Sequence, residues 1–152
     1  MGYYVDTAEQ EMIIKKDQFD NCYKAMCELN DHNELKHGGC FGSENNEKSK
    51  HPKWDENKWF SWLEWNYPET CSNFIELLQE IGFENLKYDE EGNLIGFYYS
   101  NKTGQENLFF NAIAPYITKG SYINWRGEDG EMWQWYFDGE KMHKKYAIIT
   151  YE

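Results

Sequence analysis

A chain of 152 residues is long enough for one domain, burying about two-thirds of the surface its unfolded form exposes. Its 27 acidic residues outnumber 15 basic ones, only Arg126 among the latter is an arginine, and the formal charge is −12, so a phosphate-gripping surface and direct binding of nucleic acid are not expected. No apolar run approaches the roughly eighteen residues of a membrane span, and "MGYYVDTAEQEM" lacks the basic flank and hydrophobic stretch of a leader, so a soluble, cytoplasmic protein away from the membrane is expected.

In chain order, "EMIIKK" has the β-branched pair of a short strand. "DQFDNCYKAMCELN" follows with Asp17 placed to cap and with Phe19, Tyr23, Met26 and either Cys27 or Asn30 at helical spacing. From about 31 to 57 the composition turns polar, and a long loop is expected, open to proteolysis. "KWDENKWFSWLEWNYPE" then reads as a strand that ends at Pro68. One continuous helix is expected through "ETCSNFIELLQEIGF", started by Pro68 and Thr70 and closed by Gly82. "ENLKYDEEGNLIGFYYSN" is a hairpin turning at Glu91 and Gly92, and Thr103 with Glu106 forms a capping box before a helix over "ENLFFNAIAPYIT". The remainder alternates as strands with turns at Asp129-Gly130 and Asp138-Gly139. The fold class implied is α+β: one domain over 1–152, an antiparallel sheet with about three helices packed on one side, and a C-terminal three-stranded meander.

Four cysteines, Cys22, Cys27, Cys40 and Cys71, are irregularly spaced, and reduced thiols fit better than disulfides. His32, His37 and Cys40 lie close in "HNELKHGGC", but their spacing departs from that of zinc motifs. No metal or cofactor is expected, and no catalytic residue is assigned.

Candidate binding residues come from three places. At about 100° per residue, Glu76 and Glu80 return to within about 20° of Glu69, opposite Phe74, Leu77, Leu78 and Ile81. On a continuous helix their steps of about 10.5 and 6 Å approach the spacing of phosphates along a nucleic-acid strand. Such a stripe also suits a plain solvated face. Trp59, Trp62 and Trp65 carry more indole than a core row requires, and either cover the interior or form a recognition patch. Glu128, Asp129 and Glu131, near Arg126, offer carboxylates for a metal or for acid and base, or make a charged hairpin tip.

The segments "LKHGG", "FSWLEWNYPE" and "AIAPYITKGSYINWRGEDGEMWQWYFDG" resemble small acidic accessory proteins of tailed phages and prophages. That resemblance carries no catalytic motif; by analogy it implies anti-defence or anti-CRISPR activity. The expected function is then a non-enzymatic inhibitor presenting carboxylates to a basic host-protein surface, as a DNA mimic or an occluding partner. Two alternatives stay open: a small-ligand or nucleotide-signal sequestering protein with an aromatic pocket, which requires a deep pocket with basic residues nearby, and a metal-assisted enzyme at the 126–131 hairpin.

Overall fold

The computed structural model describes residues 2–38 and 53–148. In its main sheet β1 (Tyr4–Glu11) pairs antiparallel with β6 (Ser100–Lys102) on one side and with the central strand β7 (Tyr122–Gly127) on the other. From β7 the chain meanders through β8 (Met132–Phe137) to β9 (Met142–Tyr146), giving the order β6-β1-β7-β8-β9. The fold is α+β with the expected C-terminal meander, and Gly130 and Gly139 at its two turns have φ of +88° and +97°, values that favour glycine.

The first strand is not "EMIIKK" but the more polar "YVDTAEQE" before it. Val5 and Thr7 face the core while Asp6 points away and takes a bidentate hold on Arg126, at 2.8 Å for the shorter contact. An extra residue between Thr7 and Gln10 bulges the strand against β7. Met12 and Ile14 are buried just beyond it, and Ile14 bridges Leu94.

That bridge ties on a hairpin, β4 (Glu84–Tyr88) with β5 (Leu94–Tyr98), which continues into β6. Where backbone pairing with β1 lapses, side chains substitute: Phe97 N–H donates to Gln10 Oε1 at 2.8 Å and Tyr99 N–H to Thr7 Oγ1 at 3.2 Å. Such substitution keeps buried amides satisfied across the gap.

Three helices close the core: α4 (Glu106–Ile113) lies on the apolar sheet face, and α1 (Phe19–Leu29) packs against α4 and against α3 (Phe74–Ile81). In α1, Cys22, Met26 and the following Asn30 are fully buried, Phe19 and Tyr23 partly so. Phe110 of α4 lies 5.4 Å from Trp135, and Phe83 packs against Phe97, Tyr99, Phe110 and Trp125. The opposite sheet face is polar and paired within itself: Gln134 donates to Asn124 at 2.9 Å, and the Lys145 ammonium stands 4.2 Å over the Tyr136 ring.

The expected helix over "ETCSNFIELLQEIGF" is two helices, since α2 (Tyr67–Thr70) stops before Cys71. Asn73 is extended, and its side chain accepts the Glu76 N–H at 2.9 Å, while Glu76 accepts the Ser72 N–H at 2.6 Å. This reciprocal cap starts a new helix, which outcompetes continuation through a polar Ser-Asn pair. Gly82 closes α3 at φ +123° as expected. α4 stops at Ile113, because Pro115 has no N–H to continue it, and a 3₁₀ turn follows.

The tryptophan-rich stretch is not a strand either. Only Lys58–Trp59 (β3) pair, with His37–Gly38 (β2), and the chain then turns repeatedly so that Phe60, Leu63 and Tyr67 all enter the core. Tyr67 donates to Met26 O at 2.6 Å and Asn30 Nδ2 to Trp65 O at 2.9 Å, fastening these turns to α1. Of the expected polar loop over about 31–57, Asn33–Leu35 is a 3₁₀ turn and His37–Gly38 is β2, and residues 39–52, including Cys40, lie outside the described residues.

Candidate ligand recess

The break between α2 and α3 removes the geometry of a single carboxylate stripe. Glu76 and Glu80 remain on the wet side of α3, but Glu69 belongs to α2, and Glu76 is committed to the cap. The steps of about 10.5 and 6 Å therefore do not apply to all three.

Among the candidate tryptophans, Trp59 and Trp62 are 43% and 42% exposed, and Trp65 is half-buried. Trp62 holds φ +74°, an uncommon conformation for a bulky side chain. Its indole borders the turn before α4, where a Cβ on Gly104 would meet Ser61 Cβ at 2.6 Å and Trp62 Nε1 at 2.9 Å. Trp54 donates to Asp31 at 3.0 Å.

At the β7–β8 tip, Asp129 accepts from the Tyr3 hydroxyl and from Glu131 N–H, and Glu128 accepts from Tyr4 N–H at 3.2 Å. The Asp129 hydrogen bond pushes Tyr3 up to about 12 and draws the Asp129 carboxyl below the usual range. Two of these three carboxylates thus tie the N-terminal strand to the hairpin, and Arg126 is occupied by Asp6. His32 pairs with Glu34 at 3.0 Å, His37 sits exposed on β2, and no group of three His, Cys, Asp or Glu able to hold a metal occurs among the described residues.

A different set of residues converges where the N-terminal turn of α4 splays from β8 and β9. Here a recess of about 320 Å³ is walled by Trp125, Trp133 and Trp135, with Glu106, Asn107 and Asn111 from α4 and with Lys144 beside them. The walls follow from strand register: Trp125 is directly opposite Trp133, both on the core face, and Trp135 is two positions along, its ring centroid 4.7 Å from that of Trp125. Trp125 and Trp135 are 1% and 3% exposed, whereas Trp133 is only partly covered.

Glu106 occupies the first position of the buried stripe of α4, ahead of Phe109, Phe110 and Ile113, and is 5% exposed. The expected capping box appears in altered form: the carboxylate accepts from the Thr103 hydroxyl at 2.6 Å and from Gly104 N–H at 2.8 Å. Negative charge at a helix N-terminus is favoured by the helix dipole. A carboxylate offers about four acceptor positions, so capacity remains beyond these two bonds. Trp125 Nε1, by contrast, is a buried donor without a partner. The Lys144 ammonium lies 5.3 Å over the Trp133 ring and 5.1 Å over Tyr146, a cation resting on the aromatic rim.

The recess is not legible in the sequence, because Glu106 has an ordinary role as a cap. The available signal was a carboxylate at the head of an apolar helical stripe, where a hydrophobic residue normally stands. Comparison with protein-family models, with curated proteins and with solved structures gave no match to this chain.

Proposed function

We propose that the protein is a binding protein, not an enzyme, and that it sequesters a small molecule with a planar ring in the recess between α4 and the tryptophans of β7 and β8. The observation that carries this reading is a single concavity in which the partly open Trp133, backed by Trp125 and Trp135, stands beside Asn107, Asn111 and Lys144. Ligand sites are typically apolar walls with a few convergent polar groups, and about 320 Å³ lies at the small end of their usual range of about 300–1,000 Å³. Thermal melts with a panel of nucleoside monophosphates and aromatic acids test it. A ligand at a hundred times its Kd adds about 2.7 kcal/mol, which for a chain of this size is about 5–11 °C in Tm. The shift should vanish in Trp133→Ala; a shift that survives that change, or none with any compound, contradicts the reading.

A second reading, occlusion of a basic host-protein surface by a phage-type inhibitor, is favoured by the net charge of −12 and by the exposure of Glu69, Glu76, Glu80, Glu128, Asp129 and Glu131. It predicts that capture of a host protein weakens when Glu69, Glu80 and Glu131, none of them in the α3 cap, become glutamine, and loses part of its salt dependence. Equal capture at low and high salt by both proteins would exclude it.

A further inference from the structure

We propose that the free edge of β9 takes an extended, acidic segment of a partner protein as an added strand of the main sheet; this goes beyond the recess and does not depend on it. The edge is defined by hydrogen-bond register. Asp138 N–H donates to Lys141 O at 3.1 Å and Ala147 N–H to Met132 O at 3.2 Å, at the two ends of the β8–β9 ladder. In an antiparallel pair, residues that exchange both bonds alternate with residues that exchange none. His143 and Lys145 therefore bond to Tyr136 and Gln134, while Met142, Lys144 and Tyr146 turn their N–H and C=O groups away from β8. No strand follows β9 in the sheet order.

Proteins ordinarily blunt such edges with short strands, bulges, proline or charge. At the opposite edge β6 has only three residues, and β4 breaks register twice against β5. The five residues of β9 keep one register with β8, include no proline, and lead past Tyr146 to Ile148, which are 59% and 88% exposed. The one defence left is lysine, and it is selective.

From Lys141 to Ile148 the chain has three lysines and no acid, within a protein of charge −12. The Lys144 ammonium lies over the Trp133 and Tyr146 rings and that of Lys145 over Tyr136, and neither has a carboxylate partner among the described residues. Successive side chains of a strand point to opposite faces, so an added strand meets a cation on each of its faces. Like charges directly opposite destabilise a strand pair and opposite charges stabilise it. A second copy of β9 would set lysine against lysine, and a neutral strand leaves both cations unanswered, whereas aspartate or glutamate at successive positions answers both. Nucleic acid supplies negative charge without the alternating donors and acceptors that this edge requires of its partner.

Synthetic peptides of about six residues, the length of an ordinary strand, test the assignment on the intact protein. One carries glutamates among threonine and valine, a second has lysine for each glutamate, and two further copies of the acidic peptide are N-methylated at odd or at even positions. Physiological salt screens the other acids of the protein beyond about 8 Å. The acidic peptide should bind and the lysine peptide should not. One N-methylated copy should bind about 10-fold more weakly or worse, having lost its donors to the edge at unchanged charge. Amide hydrogen exchange should slow at Lys144 and Tyr146, with little change at His143 and Lys145, and Lys145→Gln, away from the recess, should weaken binding about 2- to 5-fold. Equal binding by the lysine peptide overturns the charge assignment. Undiminished binding by both N-methylated copies, or unslowed exchange at Lys144 and Tyr146, overturns strand addition. Slow exchange at those amides without peptide, in a protein that sediments as a dimer, makes a second copy the occupant and overturns the acidic partner. Absence of binding by the acidic peptide overturns the proposal as a whole, and leaves the small-molecule recess to its own test with Trp133→Ala.

Discussion

Phe83 is the residue whose removal most directly tests the packing that forms the recess. It is 1% exposed and its ring centroid lies 4.6 Å from Phe97, 4.9 Å from Tyr99, 5.1 Å from Phe110 and 6.4 Å from Trp125, so it joins the hairpin, α4 and the sheet. Phe83→Ala loses the transfer energy of the ring and leaves a cavity, together about 3–5 kcal/mol. The four ring contacts share one side chain and do not add independently. At about 2–4 °C per kcal/mol for a chain of this size, Tm should fall by about 6–20 °C. Phe83→Leu refills most of the volume and should cost under about 1.5 kcal/mol. Urea unfolding followed by tryptophan fluorescence measures both, with the urea dependence unchanged if only stability has moved. A loss below about 1 kcal/mol for the alanine variant would refute the central place given to Phe83. Because Trp125 stands edge-on to Phe83, the same variant should also weaken ligand binding in the recess.

Asn73→Ala should cost about 1 kcal/mol by removing the cap that starts α3, whereas Glu80→Gln on the wet face should change urea stability by less than about 0.5 kcal/mol. Asp138 accepts from Glu140 and Lys141 N–H and holds His143 at 2.6 Å, which draws its carboxyl far below the usual range. A carboxyl depressed in the folded state stabilises fully above its unfolded pKa of about 3.9 and loses that contribution as pH falls toward the folded value. Asp138→Asn should therefore flatten the decline of stability below about pH 4 in acid titration, and an unchanged acid limb would count against the contact. Cys22 is fully buried and its thiol is pushed up to about 12 by desolvation, so mass spectrometry should find it unlabelled by alkylating reagent until the protein unfolds.

How far the fold was legible depended on whether local chemistry and tertiary packing agreed. The meander, the β4–β5 hairpin, α1 and the Gly82 stop were readable because turn residues and apolar periods coincide there. β1 was displaced in the reading because its inward Val5 and Thr7 alternate with Asp6 and are followed by a bulge, so the apolar Ile13-Ile14 pair beyond it looked the better strand. The tryptophan segment misled through its β-propensity: Phe60, Leu63 and Tyr67 enter the core from turns, at a spacing that strand alternation does not produce. α2 and α3 were fused because a helical wheel is blind to a side-chain cap such as Asn73 in its middle. The recess needed the β7–β8 register and the approach of α4 together. The register is local to a hairpin, but the approach of α4 is not, so Glu106 was visible as a cap and not as a neighbour of Trp133.

The indole N–H resonance of Trp133 gives the most direct test that the recess is a ligand site. Nitrogen-15 spectra recorded during titration with whichever nucleoside monophosphate or aromatic acid raises Tm should show the Trp133 indole signal moving, with Trp125 behind it, saturating at the stoichiometry of one site, while those of Trp59 and Trp62 stay in place. Saturable binding that shifts Trp59 or Trp62 and leaves Trp125 and Trp133 unmoved would contradict it.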